Sequence, residues 1–228
     1  MTEFQWDWAF TFEILPELIS AFLRVTLTAT IGGMAIALVV GMVFALLRRS
    51  HIKWVSLPTG FLVEFLRSTP LLVQIFFLYF VLPNVGIVLD PPFLLAVVAL
   101  GMHYSAYTSE IYRSGIDGVD NGQWEAARAL NFSQQQTWTK IILPQAMRRV
   151  IPPLGNRFIA MFKDTPMLMV VGLVEVLAAS KEIASDTFRT IEPYTLVGLL
   201  FLVASLASAG LVRLLEGWLA IPGVKQEG

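Results

Sequence analysis

Five long apolar runs dominate this 228-residue chain and constrain its fold more than any other feature of the sequence. They cover approximately residues 18–47, 57–82, 93–114, 150–179 and 194–219. A helix needs roughly 20 mostly apolar residues to cross the hydrocarbon core of a bilayer. Only 14% of the residues are charged, whereas soluble domains carry about 25% charged residues. We therefore predict an all-α membrane protein with five transmembrane helices, which form a single transmembrane domain over residues 1–228.

The distribution of Lys and Arg predicts the orientation of these helices, because short cytoplasmic loops are enriched in both. Basic residues concentrate between runs one and two and between runs three and four, at Arg48, Arg49, Lys53, Arg113, Arg128, Lys140, Arg148 and Arg149. The N-terminal segment is acidic, and the loop after run four balances Lys181 and Arg189 with three acidic side chains. We therefore predict an outside N-terminus and an inside C-terminus. Five spans fit this arrangement, because an odd number of spans places the two ends on opposite sides.

Several kinds of chemistry are disfavoured by what the sequence lacks. It contains no cysteine, which excludes disulfides and zinc–thiolate sites. It has no G-x-x-x-x-G-K-[ST] motif, so we do not expect this chain to bind ATP through a P-loop. His103 has no second ligand at metal-binding spacing, and no clustered catalytic set is visible. The net charge of −1 gives no indication of a nucleic-acid partner. We expect no metal, no cofactor and no enzymatic activity.

The predicted cytoplasmic loop, at about residues 115–149, is too long to be a simple connector. Residues 124–130 are rich in strong helix formers. Asn131 follows where a left-handed C-cap would fall, a conformation that Asn tolerates. Ser133 and Gln136 have the spacing of a capping box for a second helix. The sequence thus predicts two short helices joined at Asn131.

The second helix of this loop should run to Leu143, after which Pro144 is expected to bend the chain back toward the membrane. Small side chains at Ala126 and Ala127 would let another surface approach closely. Apolar contact area is expected from Leu130, Phe132 and Trp138, and Trp is a favoured interface anchor. The loop is therefore predicted to be a compact docking unit.

Seven positions of the loop resemble the EAA loop of ABC-importer permeases: Glu125, Ala126, Ala127, Asn131, Ile141, Leu143 and Pro144. The family pattern has Gly where this chain has Asn131. The resemblance implies a type I ABC-importer permease fold. It also implies that this loop is the coupling-helix region, which sits in a groove of a cytoplasmic ATP-binding-cassette ATPase. ATP would then be bound by that partner subunit.

Two further stretches resemble polar-amino-acid permeases. Residues 64–74 are similar to the pattern E-x-x-R-G-T-P-L-L-x-Q, with Ser68 in place of Gly. Residues 163–168 are similar to K-D-T-S-L-L, with Pro166 in place of Ser. The resemblance implies an inner-membrane permease that pairs with a second permease subunit, identical or related, and receives its solute from an external binding protein. The solute would be a polar amino acid or a related zwitterion, with ectoine-type compatible solutes as one option.

Charged and polar side chains within the spans are candidates for the translocation path, because such residues are costly in a bilayer. The candidates are Glu64, Arg67, Gln74, Lys163, Asp164 and Thr165. Glu64 and Arg67 share one helix face. They either pair for structural reasons or line the path, where they match the two ends of a zwitterion. Lys163 and Asp164 point about 100° apart, so one can face the path while the other pairs with a neighbouring helix.

Other features of the spans leave alternatives open. Pro70 and Pro166 predict broken helices, which either form a binding site or serve packing. The polar face around His103 in run three either lines a wet path or joins helices. Gly33 and Gly41 suggest close helix packing. A different class of transporter, an ion-coupled secondary carrier, would use Glu64 or Asp164 as its coupling carboxylate, but no internal inverted repeat supports it.

Overall fold

A computed structural model of the chain describes residues 5–219, which are helical throughout apart from short connections. The helices are α1 (Trp8–Arg48), α2 (Lys53–Ser68), α3 (Leu71–Val85), α4 (Pro92–Asp117), α5 (Asn121–Ala129), α6 (134–164), α7 (Val176–Thr187) and α8 (Ile191–Leu219). A 3₁₀ segment, Thr165–Val171, links α6 to α7. Within the described range the chain forms no strand, and the all-α prediction is confirmed.

Two helices in the described part of the chain, α1 and α8, are long and apolar enough to cross a membrane. The pair α2 and α3 adds a third candidate if the two are counted as one span bent by 107°. The helices built on the third and fourth apolar runs, α4 and α6, carry polar and charged side chains and are not among these candidates. Two to three apolar spans are thus evident, and the count of five stays a prediction.

The fourth apolar run is interrupted, as Pro166 predicts. Helix α6 ends at Asp164, and the 3₁₀ segment that follows has Pro166 in its first turn. Proline has no N–H to donate to the preceding helical turn, so the α-helical hydrogen bonds are interrupted there. Gly172 then adopts a left-handed conformation with φ of 79°. The run therefore contains a helix end, a turn and the start of α7.

A second break separates α2 from α3, as Pro70 predicts. Pro70 is extended, with φ of −61° and ψ of 138°. The side chain of Gln74 closes the gap by donating to the carbonyl oxygens of Leu66 (2.8 Å) and Thr69 (3.2 Å). These bonds satisfy backbone acceptors that the break leaves without helical partners, and they give Gln74 a structural role.

Small residues let α1 and α4 pack closely, as the glycines of run one predict. Gly41 faces Thr108, and Gly33 lies against Leu100, with no room for a larger side chain at either position. The hydroxyl of Thr108 donates to the carbonyl oxygen of Ala37 across the interface (2.7 Å). Small residues and such hydrogen bonds are typical of helix contacts in membranes. Part of the polar face of α4 therefore joins helices.

The two ends of α1 are tied to different parts of the chain. Asp7, just before α1, accepts a hydrogen bond from Arg189 of the α7–α8 turn (3.1 Å). Arg49, just after α1, forms an ion pair with Asp117 at the end of α4. A helix of this length extends about 60 Å. The α7–α8 turn and the segment that follows α4 consequently lie at opposite ends of the molecule.

Candidate functional site

The loop after α4 begins with a helix whose two ends are capped. Asp120 accepts a hydrogen bond from the backbone N–H of Gly122 (2.7 Å) and caps the start of α5. At the other end Asn131 is left-handed, with φ of 56°, as the sequence predicts. The N–H of Phe132 donates to the carbonyl of Ala127, and that of Asn131 to the carbonyl of Arg128, both at 3.0 Å. This is a Schellman motif, and it gives the turn a defined shape.

The predicted capping box at the start of α6 is also confirmed. The backbone N–H of Ser133 donates to Oε1 of Gln136 (2.9 Å), and the N–H of Gln136 donates to Oγ of Ser133 (3.2 Å). These reciprocal bonds satisfy two donors at the helix end. The α6 helix therefore has a fixed starting point, one residue beyond the turn at Asn131 and Phe132.

The helix end expected at Leu143 is wrong, because the helical assignment continues through Pro144 to Asp164. The six residues Thr137–Ile142, which directly precede Leu143 and Pro144, form a wider π-helical turn. Proline clashes with the carbonyl four residues back in a regular α-helix, and π-helical pairing to the fifth residue back relaxes that contact. The loop thus contains one separate short helix, α5, which packs on the first turns of the long helix α6.

A small apolar core holds α5 against α6. Trp124 and Trp138 meet edge to face with their ring centroids 5.2 Å apart. Ala127 and Ile142 are fully buried, and Ile141 packs against the same cluster. Two residues expected on the docking surface, Ala127 and Trp138, instead belong to this internal packing. The sequence could not separate the two roles, since small and aromatic residues serve both.

The remaining loop residues form an exposed edge. Glu125 and Ala126 are exposed on α5, as is Asn131 in the turn, and the side chain of Leu130 is 67% exposed. Exposed residues of the second half are Phe132, Leu143 and Pro144. An acidic residue beside small and apolar side chains suits a surface that receives another protein.

Polar contacts fasten this loop to the helices that precede it. Arg149 donates to the carbonyl oxygen of Gly118, at the end of α4. Gln145 donates to Oε1 of Gln123 (3.1 Å) and so joins α6 to α5. Together with the pair between Arg49 and Asp117, these contacts allow a force on α5 to reach α1, α4 and α6.

The polar side chains of α2 and α4 form an ion cluster near the same end of the molecule. Arg67 lies 3.4 Å from Glu64, so the predicted pairing within one helix face is confirmed. Arg67 also lies 3.4 Å from Glu110 of α4. Glu110 additionally pairs with Arg48 and with Arg113. Sequence spacing predicted the first contact, whereas the role of Glu110 as a hub depends on helix packing.

A cleft of about 440 Å³ opens beside this cluster. It is lined by Arg67, Tyr107, Glu110, Ile111, Ser114, Gly115, Gly118, Arg149, Pro153 and Arg157. The guanidinium of Arg157 lies 4.7 Å from the centroid of the Tyr107 ring, and that of Arg67 lies 5.8 Å from it. Two cations thus contact one aromatic ring. Arg157 is missing from the sequence-based candidates, although an arginine within a predicted span is itself a signal.

The remaining candidates differ in their surroundings. Asp164 accepts a hydrogen bond from the hydroxyl of Tyr104 on α4 (2.6 Å). Of the two adjacent charges, Asp164 is therefore the one that contacts a neighbouring helix, whereas Lys163 is exposed. Thr165 is fully buried and donates to the carbonyl oxygen of Phe162 (2.7 Å). Gln74 spans the α2–α3 break and also lies 3.3 Å from His103. Of the sequence-based candidates, the structure therefore brings only Arg67 to the cleft lining, with Glu64 paired to it, while Gln74, Asp164 and Thr165 lie elsewhere.

In residues 5–219, no group of three or more His, Asp or Glu side chains is placed so that it could hold a metal ion. An all-helical membrane chain with a braced loop at one end and a charged cleft between its helices has the architecture of a transport-protein subunit. Similarity to known proteins defines that class further.

Residues 33–221 match the family of binding-protein-dependent transport system inner membrane components. The chain is 46% identical over 218 residues to a probable amino-acid ABC transporter permease protein of Sinorhizobium fredii, covering 93% of this chain and 94% of that protein. It is 34% identical over 215 residues to the glutamine transport system permease protein GlnP of Escherichia coli, covering 93% and 97%. The chain therefore belongs to this family of transport components, which are not enzymes.

Solved structures show the same fold. A crystal structure of an amino acid ABC transporter with histidines superposes with a TM-score of 0.87 at 35% identity, over 93% of this chain and 99% of that one. An inward-facing structure of the methionine ABC transporter MetNI has a TM-score of 0.68 at 18% identity, over 89% and 94%. The chain thus has the type I ABC-importer permease fold that the loop resemblance implies.

Proposed function

We propose that this chain is the permease subunit of an ATP-binding-cassette importer that carries a polar amino acid or a related zwitterion across the inner membrane. The observation that carries the proposal is the loop at residues 115–149, which is fastened to α4 and α6 and presents an exposed edge of Glu125, Ala126 and Leu130 at one end of the molecule. Family membership and the amino-acid transporters among its relatives support the same conclusion.

In this proposal the exposed edge of α5 sits in a groove of the cytoplasmic ATPase. The ATPase binds and hydrolyses ATP, and this chain contributes no nucleotide site. Because α5 packs on α6 through Trp124 and Trp138, a displacement of α5 would be transmitted along α6. That helix reaches both the charged cleft and Asp164. ATPase closure would in this way change which side of the membrane the cleft faces.

The solute would pass along the charged cleft. Arg67 and Arg157 present guanidinium groups that suit a carboxylate, since planar guanidinium matches a carboxylate with two parallel hydrogen bonds. Glu64, exposed beside Arg67, supplies the opposite charge for an amino group. Lys163 is an exposed second cation on α6. A zwitterion needs such separated charges, and an ectoine-type solute would satisfy the same requirement.

The assembly would contain a second permease subunit, identical or related, because a few spans alone do not enclose a sealed path. Five spans, with the N-terminus outside and the coupling loop and C-terminus inside, fit the charge distribution. The opposite placement of Asp7 and Asp117 along α1 is consistent with that orientation. An external solute-binding protein would deliver the solute to the outer end, and lipid would cover the exposed apolar faces.

Reconstitution in liposomes tests this function. The chain is purified with its ATPase and its solute-binding protein, and ATP hydrolysis is measured with and without solute-loaded binding protein. We expect stimulation by loaded binding protein and ATP-dependent accumulation of an amino acid. Solute uptake that does not require ATP and is lost when the membrane potential is dissipated would instead support the ion-coupled carrier. Competition by ectoine against amino-acid uptake distinguishes the two kinds of solute.

A further inference from the structure

The turn between α7 and α8 presents an aromatic side chain in an unusual way. Phe188 is left-handed, with φ of 54° and ψ of 22°, and its side chain is 93% exposed. A bulky residue at positive φ is an outlier, because its Cβ crowds the following carbonyl. Glycine or asparagine would satisfy the turn without this cost. Neither the fold nor the proposed path explains a strained phenylalanine that touches almost nothing in its own chain.

The base of this turn is held firmly. Arg189 pairs with Asp7 (3.1 Å) and with Glu192, and its guanidinium lies 4.9 Å from the centroid of the Phe10 ring. Thr187 donates to the carbonyl oxygen of Ile183 (2.6 Å). Strained residues persist only where their surroundings fix them, and they concentrate at sites that bind or move. The backbone from which Phe188 projects is therefore held in place by its neighbours.

The surroundings of Phe188 are those of a protein contact more than those of a lipid anchor. Phe188 and the exposed apolar side chain of Ile191 are flanked by exposed polar or charged residues: Lys181, Glu182, Ser185, Asp186, Thr187 and Thr190. Burying this group in hydrocarbon would strip its charges of water. An exposed aromatic residue within a polar rim is the arrangement found at interface hot spots.

An indentation of about 230 Å³ lies directly beside the phenylalanine. It is lined by Gln5, Phe188, Arg189, Thr190, Ile191 and Glu192. A projecting ring next to a depression with both polar and apolar lining residues offers a partner two adjoining contact surfaces. This turn lies at the opposite end of the molecule from the proposed ATPase contact.

We propose that Phe188 is the anchor through which this permease docks its external solute-binding protein. This inference rests on the proposed function, because it requires an importer with an extracytoplasmic binding protein. The ring would enter an apolar depression on the binding protein, which we expect to be edged by Lys or Arg side chains that face Glu182 and Asp186. The left-handed backbone is fixed before the partner arrives, so that binding does not have to order the turn.

Titration of the reconstituted transporter with solute-loaded binding protein tests this role. The measured quantity is the concentration of binding protein that gives half-maximal stimulation of ATP hydrolysis. We expect Phe188→Ala to raise it by about tenfold or more, the loss typical of a truncated hot spot. Phe188→Gly should raise it equally while relieving the strained backbone, and Phe188→Trp should keep it near the wild-type value. The matched control is Phe61→Ala, which removes a ring that is 76% exposed on α2.

The outcomes separate this inference from the proposed function. If the wild-type transporter shows no stimulation, the importer function fails. If the wild type is stimulated and the Ala and Gly variants titrate like it, the docking role of Phe188 is overturned. Loss of liposome incorporation or thermal stability in both variants, with an unchanged titration, would also overturn it, because Phe188 would then be a lipid anchor. A higher concentration for both variants, with normal assembly and an unaffected Phe61→Ala control, supports it.

Discussion

The hydroxyl of Tyr104 donates to the carboxylate of Asp164 over 2.6 Å, although the two residues are 60 positions apart. This bond joins the middle of α4 to the last residue of α6, where the helix gives way to the 3₁₀ segment. A hydrogen bond to a carboxylate in such surroundings fixes the point at which the chain changes direction.

Removal of this bond should destabilise the helix end. We expect Tyr104→Phe to lower the free energy of unfolding by about 1–3 kcal/mol, because the carboxylate of Asp164 loses a short hydrogen bond in a partly buried site. The thermal unfolding midpoint of the detergent-solubilised protein measures this effect. Tyr79→Phe, which alters an exposed tyrosine of α3, is the control and should leave the midpoint unchanged. Equal midpoints for both variants would contradict the structural role of the bond.

The left-handed turn at Asn131 predicts opposite effects for two substitutions. We expect Asn131→Gly to be neutral or slightly stabilising, because glycine adopts positive φ without steric cost. Asn131→Val should destabilise the turn by about 1–2 kcal/mol, since a β-branched residue crowds the backbone there. Co-purification of each variant with the ATPase measures whether the changed turn weakens docking. If the Val variant binds the ATPase as well as the Gly variant, the turn geometry does not matter for docking.

The exposed edge of α5 is expected to depend on the charge of Glu125. Glu125→Lys should abolish association with the ATPase while membrane insertion remains intact, because a cation would replace an anion on the docking surface. Pull-down with a tagged ATPase and membrane fractionation measure the two properties. Gln134→Lys, an exposed change at the start of α6, is the control. Unchanged co-purification of the Glu125 variant would argue against the coupling role.

The charged cleft is expected to depend on Arg157. Arg157→Gln should raise the KM for amino-acid uptake by about tenfold or more, through loss of a charged contact, while ATPase association stays normal. Arg157→Lys should lie between this variant and the wild type, because it keeps the charge but loses the planar contact with Tyr107. The control is Arg213→Gln, at an exposed position of α8. An unchanged KM in Arg157→Gln would remove the cleft from the path.

The predicted orientation can be tested by labelling, because the sequence contains no cysteine to interfere. Single cysteines at Thr190 and Gln135 lie at the two ends of the molecule, in exposed positions. A membrane-impermeant maleimide should label Thr190→Cys in intact spheroplasts and Gln135→Cys only after lysis. The reverse result would invert the orientation, and labelling of both in intact spheroplasts would place the two ends on one side.

Much of the loop could be read from the sequence, because its determinants are local. The capping box of Ser133 and Gln136 and the left-handed Asn131 depend on residues a few positions apart, whose chemistry fixes the backbone. The same holds for the helix break at Pro70 and for the pairing of Glu64 with Arg67. The helix end expected at Leu143 was wrong, because a π-helical turn precedes Pro144 and the helix continues through it.

The sequence by itself determined that this chain is helical, suited to a membrane and equipped with a long structured loop, since apolar length and short-range spacing encode those properties. Only the tertiary structure decided which side chains meet across helices: Tyr104 with Asp164, Arg157 with Tyr107, and Glu110 with its arginines. It also showed that Ala127 and Trp138 pack inward. The physical reason is that helix rotation and crossing depend on the packing of whole surfaces, which no local pattern specifies.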